Sequence, residues 1–161
     1  MRIPATGEKA MKYTAVLIPK DSKISLLNII SFVKEKGIIL SDEYVNFILQ
    51  FDQSSLLSKY FLIKRKLQSG FIQEFYLGDF LTFEEFIESY CYFYETEIEE
   101  ELVELKVAII GSTNGRTLIC IGIEKSNLGQ IFLWDGDFGV TKQANNLEEF
   151  FNSLTLDTSS E

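Results

Sequence analysis

Between residues 23 and 51 the apolar side chains fall every three or four positions, the period of a helix packed on one face. Lys23 to Lys36 reads as a first helix, with Ser22 as N-cap and Gly37 as C-cap. Its inward stripe is Ile24, Leu27, Ile30 and Val33 or Phe32. Ser41 caps a second helix, in which Asp42 and Glu43 oppose the positive end of the dipole and Tyr44, Phe47, Ile48 and Phe51 are the buried positions. The pattern then changes. Tyr60–Lys66 and Phe71–Leu77 read as strands joined through Gln68-Ser69-Gly70, with Gly78-Asp79 ending the second. Thr82 to Glu85 is a capping box, each side chain able to satisfy the other residue's amide. Behind it Phe83, Phe86, Ile87, Tyr90, Cys91 and Tyr94 make the strongest helical stripe in the chain, about three turns long.

An acidic run, Glu95, Glu97, Glu99, Glu100, Glu101 and Glu104, follows as a solvated helix face and loop. Three β-branched runs come next, near 104–110, 116–124 and 130–135, separated by Asn114-Gly115 and Ser126-Asn127-Leu128-Gly129. The last run closes on Trp134-Asp135. A final helix begins at Asn146, carries Glu149 in its first turn and buries Leu147, Phe150, Phe151 and Leu154. Asp157 to Glu161 is a polar tail. The order is α-α-β-β-α-β-β-β-α. Short turns between neighbouring strands imply antiparallel pairing, so the expected class is α+β, a mainly antiparallel sheet with helices packed against it. The domain reading is an N-terminal extension plus edge strand over 1–20, one domain over 21–155, and a polar tail over 156–161. An added leader over Met1–Ala10, ahead of a second start at Met11, is an alternative for the first residues.

Composition sharpens this. At 161 residues, 46% apolar and 14% aromatic, the chain can bury one aromatic-rich core. No apolar run approaches the roughly 20 residues of a membrane span, and Tyr13–Pro19 is too short for a secretory leader. A cytoplasmic location is expected, with Cys91 and Cys120 as reduced buried thiols. Charge is uneven. Residues 1–73 carry a net of +5 and residues 74–161 a net of −14. Between Glu74 and Glu104 there are 11 acids and no Lys or Arg. Such a field repels nucleic acid and favours a basic partner, although a solvated face that merely aids solubility has the same composition.

Little in the chain points to a reaction. Without histidine, Ser–His and Cys–His nucleophiles in their usual form are excluded, and a zinc site is not expected from two distant cysteines. Asp135-Gly136-Asp137-Phe138-Gly139 fails as a calcium loop, because the turn glycine falls on Val140 and the closing Glu on Asn146. It fails as a kinase Asp-Phe-Gly for want of a catalytic loop or a Gly-rich phosphate loop. Gly111-Ser-Thr-Asn-Gly115 lacks the ending of a phosphate loop and precedes a strand. Glu84, Glu85 and Glu88 lie opposite an apolar stripe and should be solvated, which leaves ordinary carboxylates. No catalytic residue, metal site or cofactor is therefore assigned.

Three segments resemble the SUKH superfamily (SMI/KNR-like domains), which includes a fungal cell-wall-synthesis regulator type and many bacterial immunity proteins. Leu40-Ser-Asp-Glu-Tyr44-Val-Asn-Phe47-Ile48 resembles its Leu-Pro-x-x-Tyr-x-x-Phe-Leu helix. Ile109-Ile-Gly111 through Asn114-Gly115 to Leu118-Ile-Cys120-Ile121 resembles its Ile-Gly-x-x-Gly-Gly-Asp-x-x-Cys-Leu strand pair. Gly129-Gln-Ile131-Phe132-Leu-Trp134-Asp135, the most specific, resembles its Gly-x-Val-Tyr-x-Trp-Asp strand. Ser41 stands where the family often has Pro, Arg116 where Gly-Asp is common after the turn, and Gly122 where Asp often follows Cys-Leu, so the chain looks like a divergent member.

The resemblance implies the SUKH fold and a non-enzymatic binding protein, of a type that in bacteria neutralises a toxin, often a nuclease. The acidic second half fits a basic partner independently. The expected contact residues are Tyr94, Glu95, Glu97, Glu99, Glu100, Glu101 and Glu104, with Trp134, Asp135 and Asp137. A regulatory scaffold with an intracellular protein partner, and a small acid–base enzyme, remain open beside this reading. The partner's identity and the oligomeric state are not legible in the chain.

Overall fold

A computed structural model describes residues 2–4, 13–20, 23–96 and 99–158. Strands β1 (Arg2–Pro4), β2 (Leu17–Ile18), β3 (Ser55–Leu56), β4 (Phe61–Lys66) and β5 (Ile72–Phe80) precede β6 (Val107–Thr113), β7 (Leu118–Gly122), β8 (Ile131–Asp135), β9 (Gly139–Ala144) and β10 (Thr155–Asp157). Helices α1 (Leu26–Lys36), α2 (Asp42–Phe51), α3 (Phe83–Thr96), α4 (Glu100–Leu105) and α5 (Leu147–Ser153) intervene. Eight strands form one antiparallel sheet in the order β1-β10-β4-β5-β6-β7-β8-β9, and β2 pairs with β3 apart from it. The α+β class read from the sequence holds.

The sheet curls until β9 comes alongside β4. Side chains bridge that gap: Gln143 Nε2 donates to the Lys64 carbonyl at 2.6 Å, and Arg65 Nε to Thr141 Oγ1 at 2.8 Å. Alternation along the strands divides the apolar residues between two faces. Ala108, Ile110, Ile119, Ile121, Ile131 and Leu133 join the main core with α1, α2, α3 and α5. Val107, Ile109 and Cys120 face the other way, under Leu102 of α4.

Several sequence expectations recur as read. Ser41 Oγ accepts from the Tyr44 amide, and Tyr44, Phe47, Ile48 and Phe51 are buried. The Thr82–Glu85 box forms reciprocally, at 2.9 and 3.1 Å. Asn146 caps α5 by accepting from the Glu149 amide. Two carboxylates also reach across the fold to helix starts: Asp52 accepts from the Phe83 amide at 2.6 Å, and Glu43 from the Leu147 amide at 2.7 Å.

Others need correction. The first helix starts at Leu26 with Ser25 as its cap, and Ser22 lies outside the described residues. Its buried positions are Ile29 and Phe32; Leu27 is 74% exposed and Ile30 half-exposed. The reason is tertiary: Phe32 packs edge-on against Phe83, Phe86 and Tyr90, which turns Leu27 and Ile30 outward. Gly78 does not end β5. A Cβ there would meet the Ser112 carbonyl oxygen at 2.8 Å, so the glycine permits close approach of β6 beside a register shift between Leu77 and Phe80. The meander starts at Val107 and gains a fourth strand, β9. The polar tail expected over 156–161 begins as a strand: Thr155–Asp157 pairs with both β4 and β1, and buried Asp157 accepts from the Tyr76 hydroxyl at 2.9 Å. Residues 13–17, expected within the N-terminal extension and edge strand, pack on the body: Tyr13 meets Phe47, Phe51 and Phe151, and Val16 and Leu17 are buried.

Candidate functional site

The expected contact residues fall on the end of α3, on α4 and on the strand end and turn after Trp134. Helix α4 carries the middle of the acidic run. It is short, Glu99 before it makes no side-chain capping bond, and of its residues only Leu102 is buried. Two polar ties fix it. Glu101 Oε1 accepts from the Val140 amide of β9 at 2.5 Å, and the Tyr94 hydroxyl donates to the Val107 carbonyl at 2.6 Å, with the Leu102 carbonyl at 3.1 Å. Gly139, at φ +70°, makes room, because a Cβ there would lie 2.8 Å from Glu101 Oε1. The acidic run and the turn after Trp134-Asp135 are thus neighbours, although far apart in sequence.

That turn is held from inside. Arg65 is 1% exposed and forms an ion pair through Nη1 with Asp135 Oδ2. Its Nη2 donates to the Gly139 carbonyl at 3.1 Å. Asp135 Oδ1 accepts from the amides of Asp137 and Phe138 at 2.9 and 2.7 Å, an Asx-type turn. Burial opposes ionisation of Asp135, but the Phe138 amide, the Arg65 guanidinium and the Asp137 amide outweigh it and hold the carboxyl below its ordinary range.

Each expected contact residue but Glu97 therefore has a definite place. Glu100, Glu104 and Asp137 are exposed and Glu99 is half-buried. Glu101 is exposed yet engaged with β9. Asp135 was expected outward and is 7% exposed, its oxygens turned to Arg65 and the turn amides. Trp134 is half-buried and packs on the Leu102–Cys120 cluster. Tyr94 stacks on Tyr90 with ring centres 4.4 Å apart, and its hydroxyl serves the backbone. Burial first, then the neighbouring Tyr90, pushes that hydroxyl's pKa up. Glu95 pairs with Lys36 at 2.8 Å, a bond that lowers the carboxyl's pKa and raises the ammonium's. Glu97 lies outside the described residues.

Sequence reasoning missed Arg65 and Phe138. Arg65 has a legible signal: it shares the inward parity of Phe61 and Ile63, and an inward guanidinium requires a carboxylate. Phe138 is half-exposed at the turn, with its ring centre 5.8 Å from the Arg65 guanidinium carbon. Beside it Leu67, Gln68, Val140 and Thr141 enclose a shallow hollow of about 320 Å³. The buried carboxylates among the described residues, Asp52, Asp135 and Asp157, all hold backbone amides or side chains of the fold itself.

A protein-family model described as the SMI1 / KNR4 family (SUKH-1) matches residues 23–153. The chain belongs to this family. The match runs from just before α1 to the last residue of α5. Membership in SUKH-1 is consistent with an immunity-type protein and with a protein as its partner. A search of the curated proteins found no match. No helix among the described residues is long and apolar enough to cross a membrane.

Two departures of this SUKH-1 chain have local causes. Ser41 supplies a capping oxygen that Pro lacks. Gly122 leaves space for the following turn, since a Cβ would stand 2.0 Å from the Asn127 carbonyl oxygen. Asn127 in turn donates to the Leu105 and Lys106 carbonyls at the end of α4.

Proposed function

We propose that this SUKH-1 protein is an immunity-type binding protein that neutralises a cognate toxin, and that the toxin presents a basic face. One observation carries this reading: the Glu101–Val140 bond ties α4, which exposes Glu100 and Glu104, to the strand that follows the turn exposing Asp137 and Phe138. Exposed carboxylates steer a basic partner and set the salt dependence of association, while an aromatic side chain supplies buried area. The basic groove of a nuclease is a fitting target, because an inhibitor there competes with phosphates for the same cations. The reading requires no bond to be broken or formed and no cofactor.

The test is binding to the toxin encoded beside this chain's gene. Glu100→Lys with Glu104→Lys should weaken the complex by tenfold or more, as reversal of two steering charges does on the order of 1–3 kcal/mol, and should flatten its salt dependence. Glu101 stays in place in this variant because it holds β9. Unchanged affinity would exclude the α4 face. A neighbouring gene of another kind would favour the regulatory scaffold.

A further inference from the structure

Helices α1 and α3 run side by side in the same direction. Phe32 of α1 packs on Phe83 at the start of α3, and Lys36 at the end of α1 pairs with Glu95 near the end of α3. Between them is an open groove of about 520 Å³. Its floor is apolar: Ile24, Phe32, Phe83 and Ile87. Among the described residues its charged lining is two carboxylates, Glu35 from α1 and Glu84 from α3. Glu88, one turn beyond Glu84, is also exposed. Leu27, one turn before Ser31 on α1, is exposed and adds apolar surface beside the groove.

We propose that this groove docks an amphipathic helix of a protein partner, with leucine-like side chains on its inner face and basic residues that meet Glu35 and Glu84. The dimensions fit: Leu26 to Glu35 spans about 14 Å of helix, enough for between two and three turns of an occupant. The apolar floor fits the mode in which a helix lays residues at i, i+3, i+4 and i+7 into a hydrophobic groove. The charge fits too: Glu35 and Glu84 line the groove and Glu88 is exposed one turn beyond Glu84, so basic side chains are favoured along it. The groove shares no residue with the α4 face. The inference rests on the reading of the chain as a protein-binding module, and adds a second contact surface to it.

The experiment uses the full chain and a synthetic amphipathic helical peptide of leucine and lysine. Its controls are a glutamate-for-lysine twin and a scrambled leucine–lysine peptide, and binding is followed by amide chemical shifts. The lysine helix should shift Phe32, Phe83 and Ile87, and neither control should. Asn28→Trp, which fills the groove from an exposed position, and Glu35→Lys with Glu84→Lys should each weaken it about tenfold or more. Glu100→Lys with Glu104→Lys should leave it within about twofold. Shifts mapping elsewhere, equal binding of either control, or groove variants that bind unchanged would overturn the proposal. If only the Glu100/Glu104 variant loses the peptide, the groove falls and the α4 reading stands. A dimer in sedimentation that Asn28→Trp abolishes would put a second copy in the groove and also overturn it.

Discussion

The two faces of the sheet are held by different physics. On the main face four helices and the strands share a continuous core of aromatic and aliphatic side chains, with Phe86, Phe150 and Phe151 fully buried. On the other face Leu102, Val107, Ile109 and Cys120 form a cluster too small to fix a six-residue helix by burial alone. There the attachment is polar: Glu101 to the Val140 amide, Tyr94 to the Val107 carbonyl, Asn127 to the end of α4. A surface hung on a few directional bonds can change its exposed charges without disturbing the core. That separation suits an element whose side chains are matched to a partner.

Substitutions should expose the difference. Phe86→Ala, in the main core, should cost about 3–5 kcal/mol and lower stability everywhere, measured by denaturant melts and by loss of amide protection across all helices. Asp135→Ala leaves the Arg65 guanidinium buried and unpaired, and should cost about 3–5 kcal/mol; for a chain of this size the midpoint should fall on the order of 10 °C. Because the folded Asp135 carboxyl titrates below its unfolded value, its stabilisation is present above about pH 4 and is lost as pH falls below that. Asp135→Asn should accordingly flatten the acid limb of the stability curve, and an unchanged limb would detach the pair from acid stability. Leu102→Ala should cost about 2–3 kcal/mol, but locally, with protection lost in α4 while α2 and α5 keep theirs. Global loss would mean that the two faces unfold together. Glu101→Gln should cost about 1 kcal/mol and loosen Val140 without moving the main core. Glu95→Gln, removing an exposed pair with Lys36, should leave the melting temperature unchanged.

How much could be read in advance differs between these regions for the same reason. In α2, α3 and α5 local capping and period agree with the final packing, so the caps Ser41, Thr82 and Asn146 and their buried stripes were legible. In α1 they disagree. Leu27 and Ile30 complete a plausible stripe, yet Phe32 is claimed by the aromatic cluster of α3, and one helix cannot present both sets inward. The acidic run shows a parallel limit: composition marked it as charged, but its folding as α4 depends on Leu102 and on an amide of β9.

The sequence by itself determined the α+β class, the central meander, the family resemblance and the acidic second half, because periodicity, turn chemistry and charge are local properties of the chain. Only the tertiary structure decided which expected contact residues face solvent. Asp135 is drawn in by Arg65, seventy positions earlier, and Tyr94 spends its hydroxyl on the backbone. Glu100, Glu104 and Asp137 remain outside. Whether a carboxylate is structural or presented depends on what the fold sets opposite it, and a buried guanidinium must find a negative charge wherever the curl of the sheet brings one.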